Sequence, residues 1–156
     1  MLRAVQLYRA AADRGHADAQ TNLGLVYERG ARACNLEADD DVAAAWYARA
    51  AAQGYARAQN NLGYVLYRHG TASGGSGAGT NGNGSGISGS GSGYAQLSQA
   101  VRWFQMAAAQ GNAAAQNNLG ICYETGAGGA LQVSLDIAAQ LYQDAARQVC
   151  VSARVC

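Results

Sequence analysis

The chain has 156 residues, a formal net charge of +1 and only 13% charged residues, while 49% are hydrophobic and 8% aromatic. This length suits one domain or a short repeat array, and the near-neutral charge leaves no basic field for a phosphate backbone, so nucleic acid is excluded as a partner class. All 11 basic residues are arginine, which excludes P-loop, Schiff-base and Ser-x-x-Lys chemistry, each of which needs a lysine amine.

In chain order, alanine-rich segments without a single proline predict helix after helix. Residues 4–15 (Ala-Val-Gln-Leu-Tyr-Arg-Ala-Ala-Ala-Asp-Arg-Gly) carry an apolar stripe at Ala4, Leu7, Tyr8, Ala11 and Ala12, the i, i+3, i+4, i+7, i+8 spacing of one helix face. Residues 17–30 follow with Ala19, Leu23, Val26 and Tyr27 on one face, and Gly24 set for close approach of a neighbouring backbone. A short insertion, 31–40, contains Cys34 and the start of the acidic run Asp39 to Asp41. The two segment types then return: 43–54 and 100–111 match the first, with Trp46-Tyr47 and Trp103-Phe104 at the aromatic position, and 56–70 and 113–126 match the second. A degenerate last copy runs from Ala138 through Leu141-Tyr142 to Val149, where a closing glycine is missing.

The spacing from aromatic to following leucine is 15 residues three times: Tyr8 to Leu23, Tyr47 to Leu62 and Phe104 to Leu119. In the other direction it varies, from Leu23 to Tyr47 (24), Leu62 to Phe104 (42) and Leu119 to Tyr142 (23), so insertions collect on one edge of a stacked array. We call the 17–30 type the first helix of each repeat and the 43–54 type the second. Glycines 15, 54 and 111 are expected to cap second helices, and Gly30, Gly70 and Gly126 to cap first helices. The expected organisation is repeats over 1–70, a Gly/Ser/Asn-rich insert over 71–94 with Ile87 as its lone aliphatic, repeats over 95–149, and a tail over 150–156 that is poorly folded or a cut-off helix. The insert cannot bury enough apolar surface to offset its chain entropy and is expected to be disordered.

These residues resemble the Sel-1-like repeats (SLR), a branch of the tetratricopeptide-like helical solenoids. The carriers are Asn22-Leu23-Gly24-Leu25-Val26-Tyr27 and Gly30, then Ala43, Trp46-Tyr47, Ala50-Ala51, Gly54 and Ala58, with their later copies. The resemblance implies an all-α, right-handed superhelical solenoid of antiparallel helix pairs. It also implies a scaffold or adaptor that holds a protein or peptide partner in a concave groove lined by first helices. The loops after Gly30 and Gly70 depart from the family period. So does the missing cysteine pair of the disulfide-rich branch. The chain starts at a second helix and stops as a further first helix would begin, so it reads as a fragment of a longer array whose uncapped ends are expected to self-associate.

Within that frame the candidate partner-binding residues are Asn22, Asn61 and Asn118, before each Leu-Gly, and Gln20, Gln59 and Gln116, two residues earlier. An amide offers donor and acceptor without a charge to desolvate. The competing reading is that each asparagine bonds the loop of its neighbouring repeat and is structural. Tyr27, Tyr47, Tyr123, Tyr142, Trp46 and Trp103 are expected in the inter-helix core rather than around a ligand. His16 and His69 lack ligand spacing to any carboxylate or thiol, and Asp39 to Asp41 lack the alternation of a calcium loop, so no metal is expected and the acids are assigned to a helix N-terminus. Cys122 is expected to be a buried small hydrophobe, and Cys34, Cys150 and Cys156 receive no role.

No catalytic residue and no cofactor is expected, since there is no Gly-x-Ser-x-Gly and no histidine beside a nucleophile. The alternatives to an interaction scaffold are a hydrolase-associated or enzyme fragment of the same family, and a truncated fragment without function. No apolar run reaches about 18 residues and no hydrophobic leader opens the chain, so no membrane insertion and a cytoplasmic setting are expected.

Overall fold

Each predicted segment becomes a helix. The computed structural model describes residues 2–30, 37–73 and 91–153, and there the order is α1 (Leu2–Asp13), α2 (Ala17–Arg29), α3 (Asp40–Ala52), α4 (Ala56–Ser73), α5 (Gly91–Ala109), α6 (Ala113–Thr125) and α7 (Leu135–Ala153), with a 3-10 turn at Ala127–Gly129. First helices α2, α4 and α6 pack on the second helices that follow them, α3, α5 and α7, and each pair leans on the next through α3 against α4 and α5 against α6. The core accordingly divides into clusters between helices. One centres on Tyr47 and Leu62, one on Phe104 and Leu119, and one on Leu23 with Ala12.

The turn out of each of α1, α3 and α5 is the same Schellman motif. Gly15, Gly54 and Gly111 have φ of 91°, 85° and 81°, and the next amides, of His16, Tyr55 and Asn112, donate to the carbonyls of Ala11, Ala50 and Ala107 at 3.2, 3.3 and 3.1 Å. The longer connections also repeat a contact: Asp39 N–H donates to the Tyr27 carbonyl at 2.8 Å and Ser134 N–H to that of Tyr123 at 3.0 Å. Asp39 then caps α3, accepting from the Val42 amide at 2.9 Å, with Asp40 and Asp41 in the first turn where the helix dipole favours acids.

The glycine after each first-helix leucine has a sharper purpose than backbone approach. It is a slot for the aromatic ring of the next helix. A Cβ on Gly24 would lie 2.5 Å from Tyr47 Cε1, one on Gly63 2.8 Å from Phe104 Cε1, and one on Gly120 2.6 Å from Tyr142 Cε1. Tyr8 is the corresponding residue of α1. It is 38% exposed with Leu7 at 65%, and Ala4 is exposed too, so the stripe expected on α1 is buried only near Ala12.

Two further expectations are corrected. Gly70 does not cap α4: the helix runs through it to Ser73, and Gly70 is buried because Leu97 of α5 crosses there, its Cγ 2.7 Å from where a Cβ would be. The insert is shorter than 71–94, since 71–73 and 91–94 are helical, while 74–90, including Ile87, lies outside the described residues, as do Cys34 and Cys156. Over the tail, α7 continues to Ala153, and 154–156 lie outside the described residues.

Cys122 is buried as expected, 1% exposed, and burial pushes its thiol up to about 11. The folded state therefore favours the neutral thiol. This contribution to stability is complete below the ordinary thiol range and is lost as pH rises through about 11. In native buffer near pH 8, a condition under which a free thiol is partly ionised, Cys122 should resist iodoacetamide and react once urea unfolds the chain. Mass spectrometry of the Cys122 peptide checks this, and equal native and unfolded labelling contradicts it. For the slots, Gly63→Ala adds helix propensity worth about 1 kcal/mol, yet its Cβ must push against the Phe104 ring and the Ala100 carbonyl, 3.2 Å away. We expect a net loss of about 1–3 kcal/mol in urea denaturation, partly recovered by adding Phe104→Leu. An unchanged midpoint would refute the slot.

Candidate functional site

Amide side chains recur through the repeats, and the structure divides them into two sets. The glutamines form relays inside the stack. Gln20 Nε2 donates to the Ala12 carbonyl at 3.0 Å while its Oε1 accepts from Gln53 Nε2 at 2.8 Å, so α1, α2 and α3 are joined through one side chain. One repeat later, Gln59 Nε2 donates to the Ala51 carbonyl at 3.3 Å and its Oε1 accepts from Gln110 Nε2 at 2.7 Å, joining α3, α4 and α5. Gln116 is buried at the third position, and its Oε1 has no partner. Gln148, which stands where Gln53 and Gln110 stand, lies beside Gly111.

Gln20, Gln59 and Gln116 are thus only 4%, 1% and 8% exposed, and their expected place on a binding face is corrected. Their spacing is set by the stack: the side chain reaches back to an alanine of the previous second helix and forward to the glutamine closing the next. The sequence signal for the second partner was present, since Ala-Ala-Ala-Gln-Gly occurs at both 50–54 and 107–111.

The asparagines remain half-buried on the face made by the first helices. Asn118 Nδ2 of α6 donates to Asn60 Oδ1 of α4 at 2.9 Å, and Asn60 Nδ2 donates to Asn61 Oδ1 at 3.3 Å. Asn61 also bears on the Tyr47 hydroxyl, opposing the rise in its pKa. Asn22 makes no such side-chain bond. The three are therefore unequal: Asn61 and Asn118 are linked through Asn60, a residue sequence reasoning passed over, and Asn22 stands apart.

Tyrosine–glutamate pairs flank this row. Tyr47 Oη donates to Glu28 Oε2 at 2.6 Å and Tyr142 Oη to Glu124 Oε2 at 2.8 Å, the glutamate lying four residues after the slot glycine each time. Burial first, then the neighbouring carboxylate, raises both tyrosine pKa values. The middle repeat breaks the pattern on both sides at once. Phe104 replaces the tyrosine and Tyr67 the glutamate, and the two rings pack at 6.4 Å with 55° between planes. Above them opens a recess of about 270 Å³, mouth included, lined by Tyr64, Tyr67, Phe104, Asn118 and Ile121.

The ionisable residues fill structural roles. Asp40 accepts hydrogen bonds from Arg68 and lies 3.2 Å from His69 Nε2, tying the start of α3 to α4. This is a carboxylate partner for His69 that sequence spacing had not indicated, because 29 residues separate the two. Partial burial pulls the Asp40 carboxyl upward, but the His69 hydrogen bond and the Arg68 charge outweigh it and hold the pKa below the ordinary range. His16 precedes α2 and caps it with no side-chain bond. Among the described residues no cluster of three or more His, Cys, Asp or Glu could hold a metal ion, and no helix is long and apolar enough to cross a membrane.

With this geometry in view, comparison with known proteins places the chain. The Sel1 repeat family model matches residues 1–16, 17–55, 56–76, 84–112 and 113–149, and the chain belongs to that family. Its fold is the right-handed superhelical α/α solenoid of the Sel-1-like repeats. Among solved structures it is similar to a protective antigen present in uropathogenic Escherichia coli strains that displays an SLR fold, with 31% identity and a TM-score of 0.71 over 92% of this chain and 25% of that one. It is also similar to a Sel1 repeat protein from Oxalobacter formigenes, with 28% identity and a TM-score of 0.67 over 92% of this chain and 89% of that one. The chain therefore spans about a quarter of the length of the first and most of the second. No curated protein matches it. Sel1 repeats generally serve as protein-interaction scaffolds.

The relays predict a coupled response to substitution. Gln59→Ala removes two hydrogen bonds, although the Ala51 carbonyl keeps the Gly54 N–H as a donor, an expected loss of about 1–3 kcal/mol in denaturation. Gln110→Ala removes one bond but leaves the buried Gln59 Oε1 without its donor, and should also cost about 1–3 kcal/mol. Combined, the two should cost less than their sum, and strict additivity would show that the relay is not one unit.

Proposed function

We propose that this chain is a protein-interaction module that takes a partner segment along the face of its first helices, with Asn22, Asn61 and Asn118 as contact residues. The observation that carries this reading is the amide row itself. While Gln20, Gln59 and Gln116 are buried, the asparagines at the matching place of three successive first helices stay half-buried, and Asn118 lies beside the exposed Tyr64 and Ile121. Neutral amides suit an extended backbone, whose N–H and C=O groups need donors and acceptors in alternation. Asn118, Asn60 and Asn61 each keep hydrogen-bonding capacity beyond the bonds they make with one another, so a partner's backbone can join the row without dismantling it.

The reading is a non-catalytic one: the ionisable groups described above are engaged in capping, in helix-to-helix ion pairing or in tyrosine pairs. The test is a pull-down from lysate of the source organism with wild type and the Asn22→Ala/Asn61→Ala/Asn118→Ala variant, after circular dichroism and thermal melts of both. Because Asn61 and Asn118 also link α4 to α6, the variant should melt somewhat lower yet remain helical. A partner held by wild type and lost by the folded variant is the expected result. A partner held equally by both removes the asparagines from the interface.

A further inference from the structure

The recess between α4 and α6 exists because the middle repeat departs from its neighbours. Where α2 and α6 carry Glu28 and Glu124, α4 carries Tyr67, and where α3 and α7 supply a tyrosine hydroxyl, α5 supplies Phe104. The exchange removes a carboxylate and a hydroxyl together and leaves three aromatic rings, of Tyr64, Tyr67 and Phe104, with Ile121 opposite and Asn118 at one wall. We propose that this recess is the anchor point of the partner-binding face and that it takes one large uncharged side chain, leucine, methionine or phenylalanine, from an extended peptide segment. The proposal rests on the interaction-module reading and specifies its partner.

Three features fix the occupant. Size comes first: clear of open solvent the recess holds only about 70 Å³, well below the range of small-molecule and cofactor pockets, so it suits a single side chain. Charge comes second. Tyr64 carries Arg68 5.9 Å from its ring centre, but that guanidinium is paired with Asp40, and the nearby Glu124 accepts from Tyr142. A charged side chain entering the recess would lose its water and meet no unpaired opposite charge, whereas an uncharged one loses nothing comparable. Polarity comes third. Asn118 donates to Asn60 through Nδ2, which leaves its Oδ1 to accept from a backbone N–H as the anchoring side chain turns in. Tyr64 and Ile121, at 46% and 36% exposure, are large apolar residues left in the open at the rim.

The test uses the full chain as bait for a phage-displayed library of random dodecapeptides, with selected peptides then titrated by fluorescence anisotropy against three variants. Ile121→Glu places a charge at the exposed rim without touching the core, Tyr67→Glu restores the residue type of the neighbouring repeats, and the triple asparagine variant reports on the face as a whole. The expected result is enrichment of peptides with one leucine, methionine or phenylalanine in an uncharged setting. Their binding should weaken about tenfold or more on Ile121→Glu and on Tyr67→Glu, the scale of losing one buried side chain. Selected peptides that lose binding in the asparagine variant but not in Ile121→Glu overturn the anchor and leave the interaction face standing. Enrichment of peptides anchored by a charged residue also overturns it. A library that yields no binder overturns the anchor and the peptide-binding face together.

Discussion

The seating of an aromatic ring against a side-chain-free turn of helix is the contact on which the array depends. A mid-helix glycine costs about 1 kcal/mol relative to alanine, and this chain accepts that cost at Gly24, Gly63 and Gly120 alike. What it gains is close approach: Tyr47 and Phe104 are 0% and 1% exposed, and burying such a ring contributes about 1.5–3 kcal/mol. The slot also fixes register, because a ring seated over one glycine cannot slide along the helix without meeting a Cβ. Gly70 repeats the device near the end of α4, where Leu97 takes the place of the ring and holds α4 against α5.

The slot works within a pair of helices, and the glutamine relay works between pairs. Each relay reaches a carbonyl of the preceding second helix and an amide of the following one, so Gln20 and Gln59 transmit position from one repeat to the next. A solenoid has no central core to align its repeats and relies on nearest-neighbour contacts. A buried, doubly bonded amide is well suited to that task, since a shift in stacking breaks its hydrogen bonds where no water replaces them. At the third position the chain of bonds is incomplete, with Gln116 Oε1 unpartnered, although the residue types for completing it are present.

Periodicity made the helices, their pairing and their turns legible in the sequence. The constant interval between aromatic and leucine is the footprint of a fixed turn, and the three matching Schellman motifs are its physical cause. Less legible was the direction in which a polar side chain points. Gln20 and Asn22 are both amides two residues apart, yet one faces the previous second helix and the other the open face, a difference set by about 200° of helical rotation. Pairings between distant segments were hidden for another reason: Asp40 meets His69 only because α3 and α4 are stacked, which spacing within either helix does not reveal. Gly70 was misread because a closing glycine and a packing glycine are the same letter, and only the helix crossing above it separates the two.

The repeats also show how a recess opens in a fold whose residues are largely committed to stacking. Tyr47 with Glu28 and Tyr142 with Glu124 preserve one solution for the end of the slot, a hydroxyl donating to a carboxylate. Phe104 with Tyr67 is a second solution, equally compatible with the slot because the ring still seats over Gly63. The paired exchange leaves the scaffold intact and changes only what the first-helix face offers, turning a charged position into an aromatic recess beside Asn118. The recess thus comes from a coordinated departure from the repeat at two positions. A departure at one partner alone, phenylalanine opposite glutamate, would leave the carboxylate to water instead of the hydroxyl that donates to it in the other repeats.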